Sequence, residues 1–346
     1  MTLSRREFLA GVAAAVAWPA LADPAAKPKR TRLGVALASY SIRSQADRAF
    51  RDPLPFLAFC RERGAGGVQL PIPARDQADA AKLRAAAEAA GMVLEGSLRT
   101  PRDQADVARF NAEVRAAREA GAAVVRTVML PGRRYETFSS AEKYRRFTEQ
   151  SWQSLTLAEP VLARHKVHLA VENHKDYRAD ELVGVVKRLA SEYIGVCVDT
   201  GNNLALLEDP QATVATLAPW AVSVHLKDMA VQEYEDGFLL SEVPLGEGIL
   251  DLKQIIATLR KARPRVQFFL EMITRDPLRV PCLTPQYWAT FEHLPGRHLA
   301  QTLTLVRRKR AAELPRISHL AHADQLKVED DNVRQCLAYA AENLPL

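Results

Sequence analysis

Four apolar runs in the second half of the chain each end at a carboxylate or an imidazole side chain. They end at Glu172, Asp199, His225 and Glu271. Each run is short and rich in Val, Leu or Phe, which is typical of a strand buried on both faces of a sheet. Helical patterns separate the runs, and this alternation predicts parallel strands whose carboxyl ends share one face. We therefore expect the four side chains to converge.

The first half of the chain shows the same alternation. Four further strand-like runs begin at Leu33, Gly66, Met92 and Ala123. The predicted helices of the whole chain show apolar residues at helical spacing, and they cover 53–63, 78–90, 104–120, 141–164, 180–191 and 251–261. Gly64, Gly91 and Gly121 follow three of these helices, where a left-handed cap is common. Eight strands predict a closed (β/α)8 TIM barrel, in which catalytic groups lie at the carboxyl ends of the strands.

The gap between His225 and Glu271 is longer than the gaps before it. Roughly 27 residues separate the earlier strand ends, which is close to the length of one strand, one helix and two loops. The excess, residues 229–250, contains several glycines and a proline. We expect an elaborated loop on the catalytic face, where long loops often act as lids or clamps.

The amino terminus has the pattern of an export signal. Residues 4–9 (S-R-R-E-F-L) match a twin-arginine motif, an apolar stretch follows to residue 21, and A-L-A at 20–22 forms a cleavage site. The stretch is too short for a stable membrane anchor. We predict a signal peptide over 1–22, a linker over 23–32, and a single barrel with a C-terminal helical extension over 33–346. The twin-arginine translocase is then a transient partner, and the mature protein is periplasmic or secreted.

The composition is that of an ordinary globular protein and gives no sign of nucleic-acid binding. The hydrophobic fraction of 48% and charged fraction of 25% are ordinary for a globular domain. The net charge of +6 is mild and its charges are interspersed, so nucleic acid is not an expected partner. One basic cluster, 307–310, is expected on an exposed C-terminal helix. The four cysteines show no metal-binding spacing, and an exported chain could oxidise Cys282 with Cys336 or leave both as thiols.

Three carboxylates and one imidazole form a donor set dominated by oxygen. Such a set favours one divalent ion of the Mn²⁺, Mg²⁺ or Co²⁺ type, and accepts Zn²⁺ with less preference. We expect Mn²⁺. A metal held by Glu172, Asp199, His225 and Glu271 could polarise a carbonyl group and hold a neighbouring hydroxyl.

Several short motifs carry a resemblance to a known family. They occur in order at strand spacing: V-E-N-H at 171–174, V-D-T-G-N at 198–202, H-L-K-D at 225–228, G-E-G-I-L-D at 246–251 and L-E at 270–271. Together they resemble the xylose isomerase-like barrel superfamily of sugar phosphate isomerases and epimerases. The resemblance implies that Glu172 and Glu271 are both metal ligands and proton shuttles, and that Asp199 and His225 complete the metal shell.

The chain departs from the ketose 3-epimerase pattern of that superfamily at two positions. Asn202 stands where the pattern has a substrate-binding histidine, and Val231 stands where it has an arginine. The segments E-M-I-T-R-D-P-L at 271–278 and P-C-L-T at 281–284 resemble members assigned to decarboxylation of 3-oxo sugar acids. We therefore expect negligible activity on a free ketohexose, and activity on oxidised, acidic or glycosidic sugars.

Candidate substrate contacts follow the ligand strands. They are His174, Asn202, Lys227 and Arg275. His174 could bind a substrate hydroxyl, act as an acid or only support a ligand. Lys227 could bind a substrate carboxylate or hydroxyl, or pair with Asp228.

Three further residues, Lys175, Arg126 and Glu95, lie near the ends of predicted strands. Lys175 is a weaker candidate for a substrate contact. Arg126 and Glu95 could face the pocket or form a salt bridge inside the barrel.

The leading hypothesis is a metal-dependent isomerase or epimerase of a keto sugar or sugar derivative, acting through an enediolate. The alternative enzyme is a lyase or decarboxylase of a 3-oxo sugar or sugar acid at the same site. An abasic-site endonuclease of the same barrel type and a secreted sugar-binding protein with an inactive site are further alternatives. Export argues against the endonuclease, and the intact ligand set argues against the inactive site. The expected partner is a small carbohydrate, with a homo-oligomer possible.

Overall fold

A computed structural model describes residues 28–74 and 76–346 of the chain. The predicted signal peptide and the first part of the predicted linker lie outside the described residues. The segment that begins at residue 28 is hydrogen-bonded to the rest of the domain. The Thr31 N–H donates to the Gly64 carbonyl at 3.0 Å, and Nη2 of Arg30 donates to the Ala90 carbonyl at 2.7 Å.

Eight parallel strands close into a barrel, so the predicted (β/α)8 fold is confirmed. The strands are β1 (Gly34–Ala36), β2 (Gly67–Leu70), β3 (Val93–Ser97), β4 (Val124–Thr127), β5 (His168–Glu172), β6 (Ile194–Asp199), β7 (Ala221–Leu226), β8 (Asp228–Tyr234), β9 (Gly237–Val243), β10 (Gln267–Leu270) and β11 (Leu278–Val280). The barrel order is β1-β10-β7-β6-β5-β4-β3-β2. Closure comes from β10, which pairs with both β7 and β1.

Helices surround the barrel and form its C-terminal extension. They are α1 (Ser41–Ala46), α2 (Pro53–Glu62), α3 (Gln77–Ala90), α4 (Val107–Glu119), α5 (Arg134–Thr137), α6 (Ala141–His165), α7 (Ala179–Leu189), α8 (Pro210–Leu217), α9 (Leu252–Ala262), α10 (Pro285–Trp288), α11 (Arg297–Lys309) and α12 (His322–Asn343). The helix predicted over 104–120 begins with a 3₁₀ turn, Gln104–Asp106, before α4. In the part of the chain that the structure describes, no helix is both long and apolar enough to span a bilayer.

Local signals in the sequence set the helix ends. The Asp52 and Asp76 carboxylates accept from backbone N–H groups in the first turns of α2 and α3, which is the usual role of an N-cap. Gly91 ends α3 in the left-handed region at φ +60°. Gly64 and Gly121 also have positive φ, at +81° and +90°. The three predicted C-cap glycines therefore adopt the backbone conformation that their positions require.

Residues 229–250 are not simply a loop, and that prediction was wrong. Most of the segment forms a hairpin of β8 and β9, which pairs with β11 in a three-stranded antiparallel sheet. Val231, Phe238 and Leu240 are fully buried in a second apolar cluster beside the barrel. The burial of these side chains outweighs the turn-forming residues on which the loop prediction rested.

The carboxylate of Asp228 organises the return from the hairpin. It accepts N–H bonds from Met229 at 2.9 Å, Gly246 and Gly248 at 3.0 Å, and Leu250 at 3.1 Å. Four donors satisfy a carboxylate that is almost wholly buried. Asp228 therefore fixes the loop at the carboxyl end of the barrel instead of pairing with a lysine.

The four cysteines, Cys60, Cys197, Cys282 and Cys336, are buried free thiols. Cys282 lies in the cluster beside the barrel and Cys336 in the main core, so the two are not bonded. The basic cluster at 307–310 is exposed at the end of α11, as expected.

Helix α12 packs against α1 and against the turn that follows β1. Both oxygens of the buried Glu329 carboxylate accept backbone N–H bonds at the start of α1, from Ile42 at 2.6 Å and Arg43 at 3.0 Å. Helix α1 has no N-cap bond from its own Tyr40. Glu329 therefore supplies that cap from the far end of the sequence.

We predict that Glu329→Ala lowers the free energy of unfolding by about 1–3 kcal/mol, because two N–H groups lose their acceptor. Glu342→Ala on the same helix is the control, since Glu342 makes an exposed ion pair with Lys29 and should change stability little. Chemical denaturation followed by circular dichroism measures both. Equal effects of the two substitutions would show that Glu329 does not hold α1.

Candidate active site

The four side chains predicted to converge meet at the carboxyl ends of their strands. Glu172 and Asp199 end β5 and β6, His225 is near the end of β7, and Glu271 directly follows β10. Their exposed fractions are 0–2%. One donor atom from each lies within 4.8 Å of the donors of the other three. The barrel therefore brings together a set of donors that the sequence keeps far apart.

The imidazole of His225 is held by a buried chain of polar side chains. Its Nε2–H donates to Oε1 of Gln69 at 2.7 Å, and the Gln69 amide donates to Glu95 at 3.1 Å. Ser223 also donates to Glu95, at 2.7 Å. Burial raises the pKa of Glu95 to about 7, although the bonds from Ser223 and Gln69 act against it. This chain fixes the tautomer of His225 and aims Nδ1 into the site.

The surroundings of Nδ1 fit a cation. This atom lies 3.3 Å from Oε2 of Glu172 and 3.2 Å from Oε1 of Glu271, and it makes no hydrogen bond. Two carboxylates this close to Nδ1 require positive charge between them, which a bound divalent ion would supply. The residues present therefore fit the divalent ion predicted from the sequence, with Glu172, Asp199, His225 and Glu271 as its ligands.

Backbone and side-chain amides orient the ligand carboxylates. Oδ1 of Asp199 accepts N–H bonds from Gly201 at 3.0 Å and Asn202 at 2.8 Å, which leaves Oδ2 facing the site. The Asn202 side chain donates to Oε1 of Glu172 at 3.1 Å. Asn202, predicted as a substrate contact, is fully buried and donates to two of the candidate ligands, Asp199 and Glu172.

Lys227 pairs with ligands of the candidate metal site and not with Asp228. Its Nζ lies 2.8 Å from Oδ2 of Asp199 and 2.7 Å from Oε2 of Glu271. The side chain is fully buried. Burial lowers the pKa of Lys227, but the charges of Asp199 and Glu271 outweigh this effect and hold it above its usual range. A permanent ammonium group therefore stands beside the ligand set.

Arg126 supplies a second buried cation. Its guanidinium forms a close ion pair with Oε2 of Glu172 and lies 3.9 Å from Oε1 of Glu271. Arg126 therefore forms a salt bridge inside the barrel, with Glu172, while Glu95 is bonded to Gln69 and Ser223. Burial raises the pKa of Glu172, yet the charge of Arg126 brings it below its usual range. Burial acts likewise on Glu271, but the charge of Lys227 holds the pKa of Glu271 well below its usual range.

A second group of charges lies next to the ligands. Arg275, predicted as an anion contact, forms a bidentate ion pair with the buried Glu242, at 3.1 Å and 2.5 Å. Lys175 is buried at φ +64° and donates to the Asn202 amide oxygen. Burial, followed by the charge of Lys227, lowers the pKa of Lys175 to about 8.

His174 lies near the candidate metal ligands, and its ring and backbone are hydrogen-bonded to other residues. Its Nδ1–H donates to the Leu130 carbonyl at 3.0 Å, and its backbone N–H donates to Asp176 at 3.1 Å. Burial lowers the pKa of His174 to about 4, so the ring is neutral at pH 7. A neutral imidazole held through Nδ1 presents its other nitrogen as an acceptor, which suits a hydroxyl group.

A cavity of about 330 Å³ opens beside the ligands on the β1–β4 side of the barrel. Its lining residues include Glu271, Gln69, Arg126, Ser41 and Arg51. Sequence reasoning missed Gln69 and Arg51. Gln69 is the second-last residue of an apolar strand that carries no motif, and Arg51 lies in a segment with no ligand residue. Barrel closure brings β2 near Glu271, because β1 pairs with β2 on one side and with β10 on the other.

We predict that Gln69→Leu weakens Mn²⁺ binding by about 10–100-fold, the usual effect of removing a group that orients a ligand histidine. Gln254→Leu on the exposed face of α9 is the control and should leave the affinity unchanged. Isothermal titration calorimetry measures both. Unaltered Mn²⁺ affinity in Gln69→Leu would mean that His225 does not bind metal through this arrangement.

Three known proteins are similar to this chain, one in sequence and two in structure. The chain is 26% identical over 249 residues to the 3-oxo-isoapionate decarboxylase of Pectobacterium atrosepticum, covering 69% of this chain and 85% of the relative. The structure of L-ribulose 3-epimerase aligns with a TM-score of 0.53 at 16% identity, covering 82% of this chain and 99% of the other. The 3-keto-D-glucoside 4-epimerase of E. coli aligns with a TM-score of 0.52 at 13% identity, covering 81% and 100%.

The two structural likenesses establish the shared fold alone. The family is shown by sequence, because the model for xylose isomerase-like TIM barrels matches residues 57–290, more than half of the 346-residue chain. The resemblance carried by the short motifs is thereby confirmed: the chain belongs to the xylose isomerase-like TIM barrel family.

Proposed function

We propose that this protein is a divalent-metal-dependent decarboxylase of a 3-oxo sugar acid. The observation that carries the proposal is the pairing of both candidate proton-shuttle carboxylates with buried cations. Glu172 pairs with Arg126, and Glu271 pairs with Lys227. Epimerisation needs a base to remove a proton and an acid to return one. Decarboxylation of a 3-oxo acid needs no base.

The chemistry of that reaction fits the residues. When bound, the divalent ion would act as a Lewis acid towards the ketone oxygen. The bond between the carboxylate and the neighbouring carbon breaks, CO₂ leaves, and the electron pair passes towards the ketone. The enediolate of the substrate then takes up one proton from water at that carbon. Lys227 and Arg126 hold fixed positive charge beside the region where negative charge develops.

The charge balance of the site favours an anionic substrate. Four carboxylates (Glu172, Asp199, Glu242 and Glu271) face four cationic side chains (Arg126, Lys175, Lys227 and Arg275). A bound divalent ion would add two positive charges to these paired groups. An anionic sugar acid would offset this added charge, whereas a neutral ketose would not. The decarboxylase relative from P. atrosepticum supports the same substrate class.

Isomerisation or epimerisation is the second candidate, and one observation favours it. Glu172 and Glu271 approach His225 from different strands, β5 and β10, so carboxylates flank the site from two directions. That arrangement suits proton transfer on two faces of a substrate. The ion pairs argue against it, because a carboxylate with a lowered pKa is a weak base at neutral pH.

Two further parts of the proposal rest on the sequence. We propose Mn²⁺ as the metal because the donor set is rich in oxygen. We also propose export by the twin-arginine route on the motif at 4–9.

We predict that the Mn²⁺-loaded protein releases one CO₂ for each 3-oxo sugar acid consumed, and that chelation of the metal abolishes the release. A panel of 3-oxo and 2-oxo sugar acids carrying ¹³C at the carboxylate, with fructose and tagatose, separates the outcomes by mass spectrometry and NMR. A product of unchanged mass would support an isomerase, and a second organic fragment an eliminating lyase. Either result in place of CO₂ would contradict the proposal.

We predict that Lys227→Met lowers kcat/KM by about 10²–10³-fold, the usual cost of removing one fixed electrostatic group. Lys253→Met on the exposed face of α9 is the control and should leave kcat/KM unchanged. Steady-state assay of CO₂ release measures both. Wild-type activity in Lys227→Met would show that its ammonium group takes no part in the reaction.

A further inference from the structure

A second cavity adjoins the one beside the ligands. Its volume is about 440 Å³, and it lies over the ends of β2, β3 and β4. The two cavities share Pro71, Ser97 and Arg126 in their walls, so they adjoin at these residues. We call the cavity next to Glu271 the reaction compartment and the other cavity the outer compartment.

The two cavities together exceed what one sugar acid requires. Sites for drug-sized ligands occupy about 300–1,000 Å³, so the reaction compartment of about 330 Å³ is ample for a single sugar. The outer compartment, at about 440 Å³, is larger than the compartment that holds the candidate chemistry. A substrate filling only the reaction compartment would leave a large apolar space in contact with water.

The walls of the outer compartment are mostly hydrocarbon. Pro71, Ile72 and Pro73 form one side, and Leu98 and Val128 lie among the residues of the others. Proline has no N–H donor, and aliphatic side chains offer neither donors nor acceptors. A second sugar unit would lose hydrogen bonds to water here without replacing them. A flat apolar group would instead gain from burial against these surfaces.

Few polar groups are available in the outer compartment. The Glu113 carboxylate already accepts from Arg109 at 2.6 Å. Arg99 is exposed at the edge, and among residues 28–74 and 76–346 no carboxylate lies within ion-pair distance of its guanidinium. Besides Ser97 and Arg126, which the two cavities share, the polar groups are therefore Glu113, which is already paired, and the exposed Arg99.

We propose that the outer compartment binds an apolar, planar substituent, such as an aryl aglycone, carried on the sugar whose oxidised part reacts beside Glu271. The substrate is then a substituted or glycosidic sugar acid. The proposal rests on the proposed function only for the identity of the reacting part. Recognition of the substituent can be measured without turnover, so the two can fail separately.

The test compares two glycosides of glucuronic acid that lack the keto group and are not decarboxylated. The probes are 4-nitrophenyl β-D-glucuronide and methyl β-D-glucuronide, titrated calorimetrically into Mn²⁺-loaded protein. The aryl glycoside should bind at least about tenfold more tightly, because its ring enters the apolar compartment. Equal affinities, or no binding of either probe, would overturn the proposal.

Two variants locate the aryl ring. Leu98→Asn places an amide on the apolar wall, and Val128→Trp fills the compartment; each should remove most of the aryl preference while methyl glucuronide binds as before. Leu54→Asn is the control, since Leu54 is exposed on α2 outside both cavities, and it should keep the full preference. An aryl preference that survives both substitutions would mean that the ring binds elsewhere, and the proposal would be wrong.

Discussion

The pairing of buried charges at one end of the barrel is the constraint on which the site depends. Glu172, Asp199 and Glu271 are carboxylates with almost no exposure to water. Burial of an unpaired charge costs several kcal/mol, so each must have a partner. Arg126 and Lys227 supply that partner in the chain itself. Any ion or substrate that binds here must fit into an existing balance of charge.

That balance links the fold to the chemistry. A closed barrel of parallel strands brings side chains distant in sequence to one rim, and the strand pairing of β5, β6, β7 and β10 sets their spacing. The same cations that neutralise Glu172 and Glu271 weaken them as bases. A site of this kind stabilises negative charge more readily than it shuttles protons, which is why the loss of CO₂ suits it better than epimerisation.

Much of the fold could be predicted from the sequence because its signals are local. Apolar runs that end at Glu172 and Asp199, and glycines such as Gly91, mark strand and helix ends without knowledge of the rest of the chain. The convergence of four ligand-type residues also followed, since parallel strands place their carboxyl ends together.

The remaining features depend on contacts between distant segments. Lys227 precedes Asp228 directly, but backbone donors of the returning loop occupy Asp228, which leaves the lysine to the ligands. The hairpin of β8 and β9 was missed because its strands become stable only when Phe238 is buried beside the barrel. Gln69 belongs to no recognisable sequence motif, and its role is evident only from its hydrogen bond with His225.

The measurement that tests this account most directly is anomalous X-ray diffraction from crystals of the protein grown with Mn²⁺. The account predicts one strong anomalous peak, bonded to carboxylate oxygens of Glu172, Asp199 and Glu271 and to Nδ1 of His225. Lys227 should lie beside the peak without bonding to it. The absence of a peak among these four residues, or a peak bonded to a different set, would contradict the account.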